Sequence, residues 1–199
     1  MITEFANTFK PKLTAQRYAP GQFNRWPGFE FLAKELFALN RPVHIVETGT
    51  TCKDNDWLGY GHATLVFDWI LERTGGVGNS VDINSQACKF ARSKCHKMRI
   101  INCDSIGFLR GYSMPEKIDL LYLDSYDWSH DLHIKSCLHH MGELAAIYER
   151  LPVGCLIAVD DCHTDRDGKH VMVNHFFKHF LQQEPLIKCH MQIWKKVKA

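Results

Sequence analysis

The sequence predicts a doubly wound α/β domain, a mostly parallel sheet with helices on both faces. Three observations predict it. Short apolar runs of strand length alternate with segments of helical period. The runs are continuously apolar, as strands buried on both faces are. Each run also ends in polar or acidic residues, where such sheets bind ligands.

The first 27 residues read as an irregular arm, with Pro11, Pro20, Gly21 and Pro27. Phe5, Phe9, Tyr18, Phe23 and Trp26 make it too aromatic for a disordered tail. The arm is expected to pack on the domain, over the site, or on a second copy in a homo-oligomer. Residues 28–199 then form one domain. Phe29, Leu32, Ala33, Leu36 and Phe37 mark one face of a helix. Val43 to Val46 is a short strand. Ala63, Val66, Phe67 and Ile70 give the next helix, closed by Gly75-Gly76. Ser80 to Ile83 is the second strand. A helix through Ala87, Phe90 and Ala91 leads to the third, Met98 to Ile101. Residues 118–123 form the fourth strand, followed by a helix through Met141, Leu144, Ala145 and Tyr148. Residues 155–159 form the fifth. Val173, Phe176, Phe177, Phe180 and Leu181 mark the last helix, and residues 186–197 return to strand.

The totals exclude several classes. The chain of 199 residues is 45% hydrophobic and 23% charged, ordinary for a soluble domain. A formal net charge of +2 gives no electrostatic footprint for nucleic acid. No apolar run is long enough for a membrane span. The eight cysteines form no CxxC pair and no secretory leader opens the chain, so reduced thiols in a cytoplasmic protein are expected.

The strand ends carry the chemistry. They present Glu47-Thr48-Gly49-Thr50, then Asp82, Asp104-Ser105, Asp124-Ser125-Tyr126-Asp127 and Asp160-Asp161-Cys162-His163. Any one of these alone reads as a helix cap. Together they place acidic groups on one rim, at an electrostatic cost. Asp82 can accept the ribose hydroxyls of a nucleoside, and Gly49 lets the first loop approach a ligand closely. The spacing from Gly49 to Gly59 and Gly61 fails the GxGxxG fingerprint, which disfavours NAD and FAD. No GxxxxGK[ST] segment is present, which excludes a P-loop enzyme.

Glu47-Thr48-Gly49-Thr50 resembles the first motif of class I S-adenosylmethionine-dependent methyltransferases. Val81-Asp82-Ile83 resembles the second, Asp104-Ser105 the adenine-side segment, and Ile118 to Asp124 the fourth-strand motif. Over residues 43–180 the pattern is most similar to the small macrocin O-methyltransferase and cephalosporin-hydroxylase-like group, which pairs two aspartates after the fifth strand. The resemblance implies a Rossmann-like fold and S-adenosylmethionine held by Glu47, Gly49, Thr50, Gly61, Asp82, Asp104, Ser105 and Asp124. It implies methyl transfer to the hydroxyl of a small molecule or sugar. The glycine loop departs from the pattern, being opened by Cys52 to Leu58, with Trp57 and Tyr60 set either to cover ligand or to anchor packing. The carboxy-terminal hairpin is expected to be short, with residues 186–197 reduced to one strand.

The resemblance also makes the fourth and fifth strands neighbours. Asp124, Asp160 and Asp161 would then converge, which suggests a hard cation such as magnesium, held by oxygens. Alternatively Asp124 contacts the methionine amino group or acts as general base, and Asp160-Asp161 caps a turn. His163 is a second candidate base, with His130 and His133 as rivals. The Asp-Ser-Tyr-Asp at 124–127 differs from the D/N-P-P-Y/F segment of DNA amino-methylating enzymes. A non-catalytic methyltransferase-like module, used in assembly or recognition, is the competing expectation.

Overall fold

In the computed structural model, residues 1–14, 24–55, 57, 62–164 and 167–197 are described. Helix α1 spans Ile2–Leu13 and α2 spans Trp26–Ala38. The core then alternates: β1 (His44–Thr48), α3 (Ala63–Thr74), β2 (Val77–Asp82), α4 (Ser85–Arg92), β3 (Met98–Asn102), α5 (Ser105–Arg110), β4 (Leu120–Leu123), α6 (His133–Ile147) and β5 (Leu156–Val159). A small two-stranded ribbon, β6 (Cys162–Thr164) and β7 (Asp167–Gly168), precedes α7 (Val171–His175). A π-helical turn over Phe176–Phe180 continues α7. The chain closes with β8 (Ile187–Lys188) and β9 (Gln192–Lys195).

The main sheet has the order β3-β2-β1-β4-β5-β9-β8. β1 to β5 are parallel, while β9 runs antiparallel to both β5 and β8. The fold is therefore the expected doubly wound, Rossmann-like α/β domain. The hairpin is short but keeps both strands. Trp194 of β9 holds it down by stacking on Phe177 at 4.9 Å between ring centroids.

The strand period sorts the core into two faces. Ile45, Leu120, Tyr122 and Ala158 join Phe29, Leu32, Phe67 and Ile70 under α2 and α3. Val46, Leu121, Leu123 and Val159 join Leu144, Ile147 and Phe177 under α6 and α7. Successive strand residues point to opposite faces, so each strand must be apolar throughout.

The arm differs from the sequence expectation over Ile2–Leu13, which is helical through Pro11. Pro11 lies in the last turn, where it removes one backbone hydrogen bond. A proline inside a helix costs about 3 kcal/mol. Phe5, Phe9 and Leu13, spaced i, i+4, i+8, are buried against this. At roughly 1.5–3 kcal/mol for each large apolar side chain, their burial outweighs the proline. Phe5 stacks on Trp26 at 5.7 Å and Phe9 meets the edge of Trp69 at 5.6 Å. The apolar face of α1 is thus used on its own domain. Tyr18, Pro20, Gly21 and Phe23 lie outside the described residues.

Candidate functional site

A cavity of about 800 Å³ opens at the carboxyl ends of β1, β2 and β4. Glu47, Gly49, Thr50, Asp82, Asp124, Asp161 and Lys169 are among its lining residues. The sheet order explains the position: β1 lies between β2 and β4, and the chain reverses its winding there, so the loops part.

The β1–β2 side is built around a turn. Gly49 has φ +82°, and a Cβ there would run into the Asp124 carbonyl. Only glycine fits both constraints. The turn is tied to β2 by Gly49 N–H donating to the Val81 carbonyl at 2.8 Å and Ser80 Oγ donating to the Gly49 carbonyl at 3.0 Å. Asp82 accepts from the Thr50 N–H at 3.1 Å and the Asn84 N–H at 2.7 Å. A carboxylate has about four acceptor sites, so Asp82 keeps capacity for a ligand. Burial raises its pKa, against those backbone bonds. Glu47 is buried, and burial holds its carboxyl well above the usual range, against the opposing pull of the nearby Ser80 and Thr64 hydroxyls. The protonated form is therefore favoured. Its Oε2 has no hydrogen-bonding partner among the described residues.

The β4–β5 side is built from ion pairs. Asp124, Asp160 and Asp161 do converge, but two protein cations stand among them. Lys169 Nζ lies 2.5 Å from Asp124 Oδ1 and 2.9 Å from Asp161 Oδ2. Arg25 Nη2 lies 2.6 Å from Asp160 Oδ2 and 3.6 Å from Asp161 Oδ1. His190 Nε2 is 3.0 Å from Asp161 Oδ1, and the Tyr122 hydroxyl donates to Asp160 Oδ2. Asp160 Oδ1 accepts the Asp161 N–H at 2.8 Å. Burial raises Asp124 to about 7, against the pull of Lys169. Burial acts the same way on Asp161, but Lys169, His190 and Arg25 hold it well below the usual range. Burial opposes the charge on Lys169, yet Asp124 and Asp161 raise its pKa further.

Local backbone places Lys169. Gly168 has φ +129°, and a Cβ there would lie 2.6 Å from the Asp161 carbonyl. That close packing lets the Lys169 N–H donate to the same carbonyl at 3.1 Å, folding the ammonium back over Asp161.

These contacts decide the magnesium expectation at Asp124, Asp160 and Asp161. Asp160 is fully buried, faces Arg25 and Tyr122, and does not line the cavity. Both oxygens of Asp161 face protein groups. Ligand atoms of Asp160, Asp161 and His190 lie within 4.8 Å of one another, but each carboxylate is already paired with a cation. Magnesium needs several free oxygens in near-octahedral array, and the resident ammonium stands where it would sit. The residues present do not fit it.

The other expected site residues divide. Asp104 is exposed and caps α5, accepting from the Gly107 N–H at 2.7 Å. Ser105 is hydrogen-bonded to His139 Nε2 at 3.1 Å. Neither lines the cavity. His163 is also outside the lining. Its ring packs 4.1 Å from Trp128 and 5.3 Å from His190, and burial lowers its pKa. His130 is exposed, and His133 opens α6. Trp57 is a packing anchor, its ring 6.0 Å from Phe9 and 4.6 Å from His62. Gly59, Tyr60 and Gly61 lie outside the described residues.

Arg25, Lys169 and Glu143 were missed. Buried Glu143 accepts from Ser125 Oγ at 2.6 Å and Thr48 Oγ1 at 3.2 Å, bracing the ends of β1 and β4. The acidic rim was itself the signal: three converging carboxylates need cations, and Asp-Gly-Lys at 167–169 supplies one close by in sequence.

No protein-family model matches the chain, and no curated protein sequence is detectably similar. Solved structures are. The O-methyltransferase NovP superposes with a TM-score of 0.60 at 14% identity, over 87% of this chain and 80% of that one. The calicheamicin methyltransferase CalS11 gives 0.57 at 12%, over 97% and 91%. A putative methyltransferase from Streptococcus mutans, solved with S-adenosylhomocysteine, gives 0.56 at 17%, over 84% and 97%. By its sheet order and these superpositions, the chain has the Rossmann-like fold of class I methyltransferases.

Proposed function

We propose that this chain is an S-adenosylmethionine-dependent methyltransferase that methylates a hydroxyl of a small molecule or sugar. The observation that carries the reading is the cavity at the β1–β2–β4 switch point, which combines the Gly49 turn, the Asp82 carboxylate and the unpartnered Glu47 oxygen. Asp82 would hold the ribose hydroxyls. Gly49 and Thr50 would run along the methionine portion, and Glu47 offers a buried polar contact beside it. The similar solved structures agree: NovP is an O-methyltransferase, and CalS11 is a TDP-rhamnose 3'-O-methyltransferase.

Bound there, S-adenosylmethionine would supply an electrophilic methyl group for the acceptor oxygen. The protein's work is alignment and removal of the acceptor proton. Asp124, on the cavity wall with its pKa near 7, is suited to take that proton. His163 does not line the cavity; its ring packs behind the lining residue Trp128 and against His190. The β8–β9 hairpin is present, which removes one ground for a non-catalytic module. Among the described residues, no helix is long and apolar enough to cross a membrane.

Calorimetric titration with S-adenosylhomocysteine tests the reading. Saturable binding to a single site is expected. No heat at high micromolar ligand would overturn it.

A further inference from the structure

We propose that Lys169 is the resident cation of this cavity, standing where a divalent metal would sit and making the site independent of one. The proposal rests on the methyltransferase reading for its purpose but not for its geometry. Nζ of Lys169 bridges Asp124 and Asp161, carboxylates from the ends of two neighbouring strands, at 2.5 and 2.9 Å. The side chain is almost wholly buried, yet Lys169 lines the cavity. An ammonium has three donors, and the two carboxylates take two of them. The third is available to an acceptor oxygen.

The arrangement is braced on every side. Gly168 folds the lysine back, and Arg25 neutralises Asp160 behind it. Three carboxylates against two fixed cations leave the cluster with one excess negative charge when all are ionised. Adding a dication to a centre that already holds two cations would place like charges a few ångströms apart. A fixed ammonium beside Asp124 instead stabilises negative charge developing on the acceptor oxygen as its proton leaves. It can do so without any exchangeable ion.

Manganese binding, read from loss of the free-ion electron paramagnetic resonance signal, tests this without an acceptor. The wild-type chain should leave the signal unchanged. Lys169→Met empties the position and leaves the carboxylates, so it should bind Mn2+ at least roughly tenfold tighter than wild type. Adding Asp161→Asn to that variant should abolish the uptake. Uptake by the wild-type chain that disappears in Asp124→Asn would overturn the proposal. So would a folded Lys169→Met variant that takes up no Mn2+. If circular dichroism shows Lys169→Met unfolded, Lys169→Ala in the presence of S-adenosylhomocysteine takes its place, judged by the same two results. S-adenosylhomocysteine binding by the wild type in the presence of a chelator separates the failures. Its loss only with chelator overturns metal independence. Its absence under all conditions overturns the cofactor reading instead.

Discussion

The two walls of the cavity solve opposite problems. The β1–β2 wall keeps hydrogen-bonding capacity open: Gly49 withholds a side chain, Asp82 retains acceptor sites, and Glu47 has an oxygen with no partner among the described residues. The β4–β5 wall is closed on itself, with Asp160 and Asp161 locked to Arg25, Lys169 and His190. Acidic residues at strand ends therefore do not have one meaning. On the first wall they keep acceptor capacity open, and on the second they hold the cations that shape the pocket.

The largest expected effect breaks the closed wall. Arg25→Met leaves Asp160 buried beside the Tyr122 hydroxyl with no cation, and breaking a buried pair from one side costs about 3–5 kcal/mol. Urea unfolding should show that loss. A change below about 1 kcal/mol would mean that the pair does not brace the wall.

A smaller effect separates the open wall from a simple cap. Asp82→Ala should weaken S-adenosylhomocysteine at least roughly tenfold. Asp104→Ala removes only the cap of α5 and should cost about 1 kcal/mol of stability, with ligand affinity unchanged. Equal affinity losses in the two variants would return Asp104 to the cofactor site.

The smallest effect is one of pH. Burial raises Glu47 in the folded state, so its contribution is full below the unfolded carboxyl range and is lost as pH rises toward the folded value. Glu47→Gln cannot ionise and should lose less thermal stability than the wild type between mildly acidic and mildly alkaline pH. For a chain of this size, each kcal/mol moves the midpoint by roughly 2–4 °C. Parallel pH profiles for the two proteins would show that Glu47 is ionised in the fold. On the closed wall the sign reverses at Asp161. Its depressed pKa contributes stability above the unfolded carboxyl range and loses it in acid.

The sequence by itself determined the layer architecture. Continuous apolar strands such as Leu120–Leu123 must be covered on both faces, and the helical periods between them supply the cover. It also determined the Gly49 turn and the acidic rim, because a residue directly after a buried strand has few places to go. The N-terminal helix was less legible. Pro11 and the scattered aromatics read as irregular, and only packing against Trp26 and Trp69 makes the i, i+4 spacing of Phe5, Phe9 and Leu13 pay. Tertiary structure alone decided which carboxylates remain open. Arg25 precedes Asp160 by most of the chain, so no local pattern links them. Long-range charge pairing is set by the geometry of the folded sheet, and that geometry put an ammonium where the strand ends alone suggested a metal.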